Sequence, residues 1–256
     1  MKITLLGTGD AGGVPTWGCE CQACLAASAD PARRRGPCCA TVEIGDTRVL
    51  IDAGITDLAR RFRRDELAAV VLTHFHVDHV QGLFHLRWGV GDPLPVYCPD
   101  DEDGCADLYR HPGLLAFCAI DMRRRVRIGG LEFTPIPMQH SKLTYGYMIK
   151  GDGRAAYLTD TRGLGADAAR ALREFSPEVV VIDAKYPPGH PSPKGHNTID
   201  EALALGFDSG ASRVILTHLG HDADCWLINN PDALPRGAEI GRDGQTIETT
   251  RAAAWT

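Results

Sequence analysis

The segment that most constrains this chain is His74-Phe75-His76-Val77-Asp78-His79, which holds four potential metal ligands in six residues. It follows an apolar run at 67–72, whose aliphatic and β-branched residues predict a buried strand over 68–73. The C-terminal ends of such strands are where α/β proteins usually carry their chemistry. Imidazoles and carboxylates suit divalent metals, and ligands spaced this tightly cannot all reach one ion, so two adjacent ions are predicted. A surface cluster of histidines is the alternative interpretation.

The HxHxDH pattern resembles the signature of the metallo-β-lactamase superfamily. Later ligands of that superfamily are matched in order by His140, Asp160 and His218. Asp160 and His218 each follow an apolar, strand-like run, and either one alone would more often be a hydrogen-bonded structural residue. The resemblance implies that seven ligands are divided between two ions, with one ion held by His74, His76 and His140, the other by Asp78, His79 and His218, and both bridged by Asp160.

The implied centre predicts hydrolytic chemistry on a phosphate ester. Two ions about 3.5–4 Å apart can polarise a phosphoryl oxygen and deprotonate a bridging water, so the nucleophile would be hydroxide and not a side chain. Asp78 is therefore counted with the catalytic residues as well as with the ligands. Asp52, at the end of the predicted strand 47–52, is expected to accept a hydrogen bond from a ligand imidazole. The alternative for Asp52 is a structural residue that caps the turn at Gly54.

A second candidate metal site lies in Cys19-Glu20-Cys21-Gln22-Ala23-Cys24. Three cysteines at this spacing favour metal coordination over disulfides in a chain of cytosolic character. His221, three residues after His218, is the expected fourth ligand of a closed, structural Cys3His zinc site that ties the N-terminal loop to the active-site rim. Reduced cysteines packed as small apolar groups are the alternative. That alternative is the prediction for the other six cysteines, because they show no repeated ligand spacing.

Composition predicts a cytoplasmic protein. The 256 residues are 44% hydrophobic and 23% charged, and they contain no apolar stretch long enough to cross a membrane. A net charge of −6 makes a large nucleic-acid-binding surface unexpected, since such a surface needs clustered Lys and Arg. The densest basic runs, at 33–35 and 123–125, are expected to be solvated surface. The glycine-rich segment at 7–13 is expected to be a turn after the first strand, with a phosphate-binding loop as the weaker alternative.

One domain is predicted over 1–256, with an N-terminal Cys-cluster loop at about 13–40. Apolar runs predict ten strands, at 2–6, 41–44, 47–52, 68–73, 94–98, 131–136, 145–149, 154–159, 178–183 and 213–217. Helices are predicted at 164–175 and 198–208, and Thr198 is a candidate N-cap of the second. The predicted fold class is α/β. The superfamily resemblance, and not periodicity, implies the four-layer αβ/βα sandwich.

Nearly the whole chain is similar to the PhnP family of phosphoribosyl cyclic phosphate phosphodiesterases. The similarity extends beyond the ligands to segments such as Leu86-Arg87-Trp88-Gly89-Val90-Gly91-Asp92-Pro93, and it is less secure at Ala184-Lys185-Tyr186 and around His196. It implies hydrolysis of 5-phospho-ribose 1,2-cyclic phosphate to ribose 1,5-bisphosphate in phosphonate (carbon–phosphorus lyase) catabolism. It also implies two catalytic divalent ions, manganese by preference, with zinc only at the cysteines, and a homodimer.

The same resemblance gives His196 the role of general acid toward the departing ribose oxygen. A loop histidine at the surface is the alternative. Lys142, two residues after His140, is a candidate for binding a substrate phosphate as a mobile point charge, and a solvent-facing lysine is the equal alternative.

Two rival functions stay open. A tRNA 3′ processing endonuclease uses a similar dimetal site, but it predicts a long substrate-gripping arm, and the sequence contains no long Gly/Pro/basic insertion of that kind. A non-catalytic metalloprotein of cofactor biosynthesis could share the fold and the cysteine cluster. Occupancy of all seven ligand positions argues against this second rival.

Overall fold

The chain folds into two seven-stranded sheets in the computed structural model, which describes residues 1–249. Residues 250–256 of the predicted domain lie outside the described part, and the single-domain boundary stays a prediction. The strands in chain order are β1 (Lys2–Gly7), β2 (Cys39–Ile44), β3 (Thr47–Ile51), β4 (Ala69–Val71), β5 (Leu94–Pro99), β6 (Leu115–Ile120), β7 (Val126–Ile128), β8 (Leu131–Pro137), β9 (Tyr145–Lys150), β10 (Arg154–Leu158), β11 (Val179–Asp183), β12 (Arg213–Thr217), β13 (Ala238–Ile240) and β14 (Thr246–Glu248).

The two sheets share one plan. The first has the order β14-β1-β2-β3-β4-β5-β6 and the second β13-β12-β11-β10-β9-β8-β7. From β14 to β3, and from β7 to β10, neighbouring strands are antiparallel, whereas the pairs from β3 to β6 and from β10 to β13 are parallel. The carboxyl ends of neighbouring parallel strands lie at one edge of a sheet, which is where ligands usually bind.

Helices cover the outer face of each sheet. They are α1 (Gln22–Ala29), α2 (Leu58–Arg61), α3 (Val77–Val80), α4 (Leu83–Leu86), α5 (Ala106–Arg110), α6 (Ala166–Phe175), α7 (Ile199–Asp208) and α8 (His221–Asn229), with short 3-10 turns at Pro31–Arg33 and Arg64–Glu66. No helix within residues 1–249 is long and apolar enough to span a membrane. The predicted N-cap of α7 is confirmed, because the Thr198 hydroxyl accepts a hydrogen bond from the Glu201 amide. Such a cap contributes about 1 kcal/mol to stability.

Three apolar layers produce the predicted four-layer αβ/βα sandwich. The central layer joins the two sheets and includes Ile3, Val49, Phe133 and Tyr147. One outer layer packs α2, α4 and α5 on the first sheet, and the other packs α6, α7 and α8 on the second. Tyr147 is fully buried, and its hydroxyl donates to the Leu72 carbonyl at 2.7 Å, so β9 of the second sheet is fastened to the end of β4 in the first.

All ten predicted strands are present, with ends that differ by at most two residues, and both predicted helices are confirmed. The sequence interpretation missed four strands, β6, β7, β13 and β14. Three of them are only three residues long, and β6 is an edge strand whose residues are mostly half-buried, so none shows a clear apolar periodicity. Helix α1 was also missed, because alanines and a buried cysteine form its inner face instead of large apolar residues.

Candidate metal centre

Strand ends position three of the predicted site residues in an unusual backbone conformation. Asp52 follows β3, Asp160 follows β10 after one residue, and His218 follows β12. Their φ angles are 56°, 56° and 55°, in the left-handed region that non-glycine residues rarely adopt. Strain of this kind costs about 1–3 kcal/mol per residue and concentrates at functional sites. Directing these three side chains over the edges of the sheets therefore lowers the stability of the fold.

Close packing behind the site requires a glycine. A Cβ at Gly54 would lie 2.4 Å from the carbonyl oxygens of both Asp78 and Cys38, which is well inside van der Waals contact. Gly54 therefore lets the chain after Asp52 pass directly behind α3. That helix carries Asp78 and His79, so Asp52 and these two predicted ligands are packed closely together.

The first cluster consists of His74, His76, His140 and Asp160, whose donor atoms all lie within 4.8 Å of one another. His76 Nδ1 is 2.9 Å from His74 Nε2 and 3.1 Å from His140 Nε2. Asp160 Oδ2 is 3.5 Å from His74 Nε2 and 3.4 Å from His140 Nε2. Three imidazole nitrogens and one carboxylate oxygen thus converge on a volume suited to a single divalent cation.

The second cluster lies against the other oxygen of the same carboxylate. Asp160 Oδ1 is 3.3 Å from both His79 Nε2 and His218 Nε2. Asp78 Oδ2 completes the group, 3.4 Å from His79 Nε2 and 3.6 Å from His218 Nε2. All seven residues predicted as ligands therefore meet, and Asp160 directs one oxygen toward each cluster.

Unpaired atoms and shifted pKa values test whether cations fit here. His79 Nε2, His218 Nε2 and Asp160 Oδ1 are buried and have no hydrogen-bond partner among the described residues, an arrangement that a bound cation would satisfy. Burial lowers the pKa of His74. Burial alone would raise the pKa of Asp160, but His218 and His79 lower it well below its usual value. A neutral imidazole and an ionised carboxylate are the forms that bind divalent metals, so His74 and Asp160 fit a cation. Burial alone would lower the pKa of His79, but the Asp160 and Asp52 carboxylates raise it, and a bound cation would take the place of the proton that they hold there.

Asp52 supports the centre from behind, as the sequence predicted. Its Oδ2 is 2.8 Å from His79 Nδ1, and its two oxygens also accept hydrogen bonds from the Thr73 amide and hydroxyl. The Thr73 hydroxyl in turn lies 3.0 Å from His74 Nδ1. With their Nδ1 atoms held in this way, His79 and His74 present Nε2 to the two clusters. Such partners orient metal ligands and fix their tautomers.

His196 lies beside the clusters and is held by Asp183, a residue that the sequence interpretation did not select. His196 Nδ1 is 2.7 Å from Asp183 Oδ2, and the His196 ring stacks on the His218 ring with centroids 4.8 Å apart. Because Nδ1 is engaged, only Nε2 of His196 remains for chemistry. Asp183 is the last residue of β11, and Asp52, Asp160 and His218 also lie at the ends of strands. Its position at a strand end is therefore the sequence signal that could have identified it.

A cavity of about 280 Å³ opens onto both clusters. Its lining includes His76, Asp78, His140, Asp160, His196 and His218 together with two cations, Lys185 and Lys194. Lys142, the predicted phosphate-binding residue, does not line it, and its Nζ lies 3.9 Å from Asp101 Oδ2. The lysines at the cavity wall are therefore Lys185 and Lys194, and not the Lys142 that the sequence prediction selected.

The four residues of the predicted Cys3His site also meet. Cys19, Cys21, Cys24 and His221 place their donor atoms within 4.8 Å of one another, and His221 Nδ1 is 3.4 Å from both Cys19 Sγ and Cys21 Sγ. His221 begins α8, and Cys24 lies on the buried face of α1. Because α8 follows directly from His218, this cluster connects the N-terminal loop to the metal centre.

We expect Cys24→Ser to remove one equivalent of metal and to lower the melting temperature by about 5 °C or more, since a structural metal contributes folding free energy directly. Metal content by plasma mass spectrometry and thermal unfolding would measure both effects. Cys118→Ser, on edge strand β6, is the matched control and should change neither. A Cys24→Ser protein with its full metal content would contradict the site.

A larger cavity, of about 470 Å³, lies between α1 and α8 and contains none of the clustered ligands. Arg33 and Arg34 are exposed, as predicted for the basic run 33–35, but Arg35 is not. Arg35 is only 9% exposed and makes two hydrogen bonds to the Asp224 carboxylate, at 2.6 and 2.9 Å. This paired arginine packs the N-terminal segment against α8.

Comparison with known proteins agrees with this geometry. Residues 47–219 match the family model of the beta-lactamase superfamily domain, a range that contains all seven residues of the two clusters. The chain belongs to the metallo-β-lactamase superfamily. The cysteine cluster and His221 lie outside the matched range. Superfamily membership and the His/Asp clusters together support binding of divalent metals.

Three similar proteins are informative. The crystal structure of a new diphosphatase from the PhnP family superimposes with a TM-score of 0.83 at 28% identity, covering 98% of each chain. Coenzyme PQQ synthesis protein B of Azoarcus sp. (strain BH72) is 26% identical over 92% of this chain and 86% of that protein. An octanoyltransferase of Porphyromonas gingivalis (strain ATCC BAA-308 / W83) is 31% identical over 95% of this chain, which spans about half, 51%, of its length.

Proposed function

We propose that the protein is a metal-dependent phosphodiesterase that hydrolyses 5-phospho-ribose 1,2-cyclic phosphate to ribose 1,5-bisphosphate. The observation that carries the proposal is that two groups of candidate metal ligands and a separate candidate proton donor meet at one cavity. Asp160 directs one oxygen toward each cluster. His196 lines the same cavity, and its Nδ1 is hydrogen-bonded to Asp183. Opening a cyclic diester needs both features, because water must attack phosphorus while a ribose oxygen departs.

The residues divide this chemistry between them. His74, His76 and His140 would hold one divalent ion and Asp78, His79 and His218 the other, with Asp160 shared. When bound, such a pair polarises a phosphoryl oxygen and lowers the pKa of a bound water. His196 Nε2 would deliver a proton to the departing oxygen, a contribution of about 10²–10⁴ in rate. Asp183 keeps the His196 ring turned so that Nε2 faces the cavity.

The likeness to the PhnP-family structure supports this substrate class, and its description favours a second candidate. That protein is called a diphosphatase, so the cleaved bond in this chain could be a diphosphate linkage instead of a cyclic diester. The same ligands and the same acid would serve either substrate. The likeness to PQQ synthesis protein B keeps open the rival of a cofactor-biosynthesis protein without hydrolytic activity.

We would test the proposal with metal-replete, manganese-supplemented protein and a panel of phosphate esters. The panel contains the ribose cyclic phosphate, 2′,3′-cyclic nucleotides, bis(p-nitrophenyl) phosphate, a nucleotide diphosphate sugar and a tRNA precursor. We expect the highest kcat/KM on the ribose cyclic phosphate. Turnover confined to the diphosphate would favour the second candidate. Cleavage of tRNA alone, or no turnover at full metal content, would overturn the phosphodiesterase.

Several parts of this proposal come from the sequence and not from the geometry. Manganese at the catalytic pair, a place in phosphonate catabolism and a homodimer rest on the family resemblance. Zinc at the cysteines rests on their spacing and on that resemblance, and a cytoplasmic location rests on composition. Each remains a prediction. A small phosphorylated sugar fits the cavity size better than a nucleic acid does, since about 280 Å³ lies near the lower end of small-molecule sites.

A further inference from the structure

A fourth cysteine lies beside the Cys3His cluster. The cluster itself is the compact group formed by Cys19, Cys21, Cys24 and His221, whose donor atoms lie within 4.8 Å of one another. Cys225 is not a member of that group, but it packs against the same small apolar core as the three cysteines. Its thiol lies against the Cys21 thiol. The cluster therefore has a neighbouring sulfur that the four-donor site does not use.

Helix α8 positions this fourth cysteine. His221 and Cys225 are four residues apart in α8, so they lie on the same face, about one turn from each other. The backbone amide of Ala23, in the first turn of α1, donates a hydrogen bond to the Cys225 sulfur. One turn further along α8, the Asn229 side chain donates to Gln22 Oε1 at 2.9 Å and to the Cys225 carbonyl at 2.7 Å. These contacts hold the start of α1 against α8, which keeps the thiols of the two segments together.

The coordination number of a structural metal leaves Cys225 free. A tetrahedral zinc ion takes four ligands, and the compact group supplies four donors without Cys225. Cys225 would therefore remain a thiol while Cys21, which it contacts, binds as a thiolate. A thiol and a thiolate held side by side are the two partners that a disulfide needs.

Exposure and chain position distinguish this pair from the other sulfurs of the cluster. Cys21 and Cys225 are half-buried, so a small oxidant can reach them from solvent, whereas Cys24 is fully buried. Cys21 precedes α1 and Cys225 belongs to α8, so a bond between them would join the N-terminal loop to α8. A metal ion bound by the three cysteines and His221 would join the same two segments.

We propose that Cys21 and Cys225 form a peroxide-sensitive disulfide, which releases the metal ion of the Cys3His site and replaces it as the link between the N-terminal loop and α8. Hydrogen peroxide oxidises one of the two sulfurs to a sulfenic acid and loses one water. The other sulfur then attacks the sulfenic sulfur, the S–S bond forms and the hydroxyl leaves as a second water. Two thiols thus give two electrons and two protons to one peroxide, and solvent supplies the proton where Cys21 starts as a thiolate. The metal ion is released because only three ligands remain. Transient disulfides of this kind serve redox sensing in cytosolic proteins.

The first test treats the zinc-reconstituted protein with hydrogen peroxide. Plasma mass spectrometry after desalting measures the retained metal, and peptide mass spectrometry locates disulfides. We expect the wild type to lose one equivalent of metal and to gain a Cys21–Cys225 disulfide, and dithiothreitol with zinc should reverse both changes. Cys225→Ala should bind its full metal content and release it at least about fivefold more slowly, because the partner thiol is missing. Cys105→Ala, which removes a half-buried cysteine that packs on the outer layer of the first sheet, should behave as the wild type. A disulfide that joins Cys21 to Cys19 or Cys24, or equal metal loss from Cys225→Ala, would overturn the proposal.

A second test asks whether the disulfide replaces the metal as a link. Cys24→Ser lacks one ligand of the site but retains both Cys21 and Cys225. Peroxide should form the same disulfide in this variant and raise its melting temperature by about 3 °C or more, since a bond between distant parts of the chain constrains the unfolded state. The double variant Cys24→Ser/Cys225→Ala should show no such rise, and a Cys24→Ser protein whose melting temperature does not change with peroxide would refute the link. Neither test measures turnover, so both are independent of the proposed hydrolysis.

Discussion

Replacing Asp160 with alanine should lower kcat/KM for any phosphodiester by at least about 10³-fold. Its two oxygens are the atoms that the clusters share, 3.3 Å from His79 and His218 on one side and 3.4 Å from His140 on the other. Metal-ion catalysis contributes several kcal/mol of transition-state stabilisation, and each 1.36 kcal/mol corresponds to about a tenfold change in rate. Losing the shared ligand should impair both ion sites together, so bound metal should fall as well.

Asp167→Ala is the matched control for this experiment. Asp167 lies on α6, is 87% exposed in its side chain and forms an ion pair with Arg170, an interaction of little energetic value at the surface. Both variants should be compared with the wild type by metal content, circular dichroism and steady-state kinetics. A folded Asp160→Ala protein that keeps its full metal content and acts within tenfold of the wild-type rate would show that Asp160 is not a shared ligand.

The metal centre could be predicted from sequence because its signals are local. His74, His76, Asp78 and His79 are adjacent in the chain, and apolar runs place Asp52, Asp160 and His218 at strand ends. Asp160 and His218 follow parallel strands of one sheet, so their convergence at one edge can be inferred from the strands. Asp52 follows a strand of the other sheet, and its approach to them depends on how the two sheets pack. The roles assigned to individual ligands came from the superfamily resemblance, since spacing alone does not say which residues share an ion.

The cavity wall could not be predicted, because it depends on long-range packing. Lys142 lies two residues from His140, yet the chain turns there: the Thr144 hydroxyl donates to the Lys142 carbonyl at 2.9 Å, and Lys142 Nζ lies near Asp101. Lys185 lines the cavity, and its partner there is Asp10, from the N-terminal segment, at 3.3 Å from its Nζ. Separation along the sequence carries no information about such contacts.

Replacing His196 with alanine should produce a loss that depends on the leaving group. For the ribose cyclic phosphate, whose departing oxygen needs a proton, we expect kcat to fall by about 10²–10⁴-fold. For bis(p-nitrophenyl) phosphate, whose phenolate leaves as a stable anion, the loss should be less than about tenfold. His190→Ala is the control, because His190 lies in the same loop and stacks on Tyr186 without lining the cavity. Equal losses on the two substrates would assign His196 to structure or binding.

Asp183→Asn should reproduce that leaving-group dependence and should also change the pH profile. Burial raises the pKa of Asp183 and lowers that of His196, so burial opposes the protonated form of His196. The 2.7 Å contact between His196 Nδ1 and Asp183 Oδ2 acts in the other direction, because a carboxylate at this distance balances an imidazolium. Asparagine cannot balance an imidazolium, so the donating form should persist only to lower pH. The alkaline limb of the pH–rate profile on the ribose cyclic phosphate should therefore move to lower pH, whereas an unmoved limb would mean that Asp183 only orients the ring.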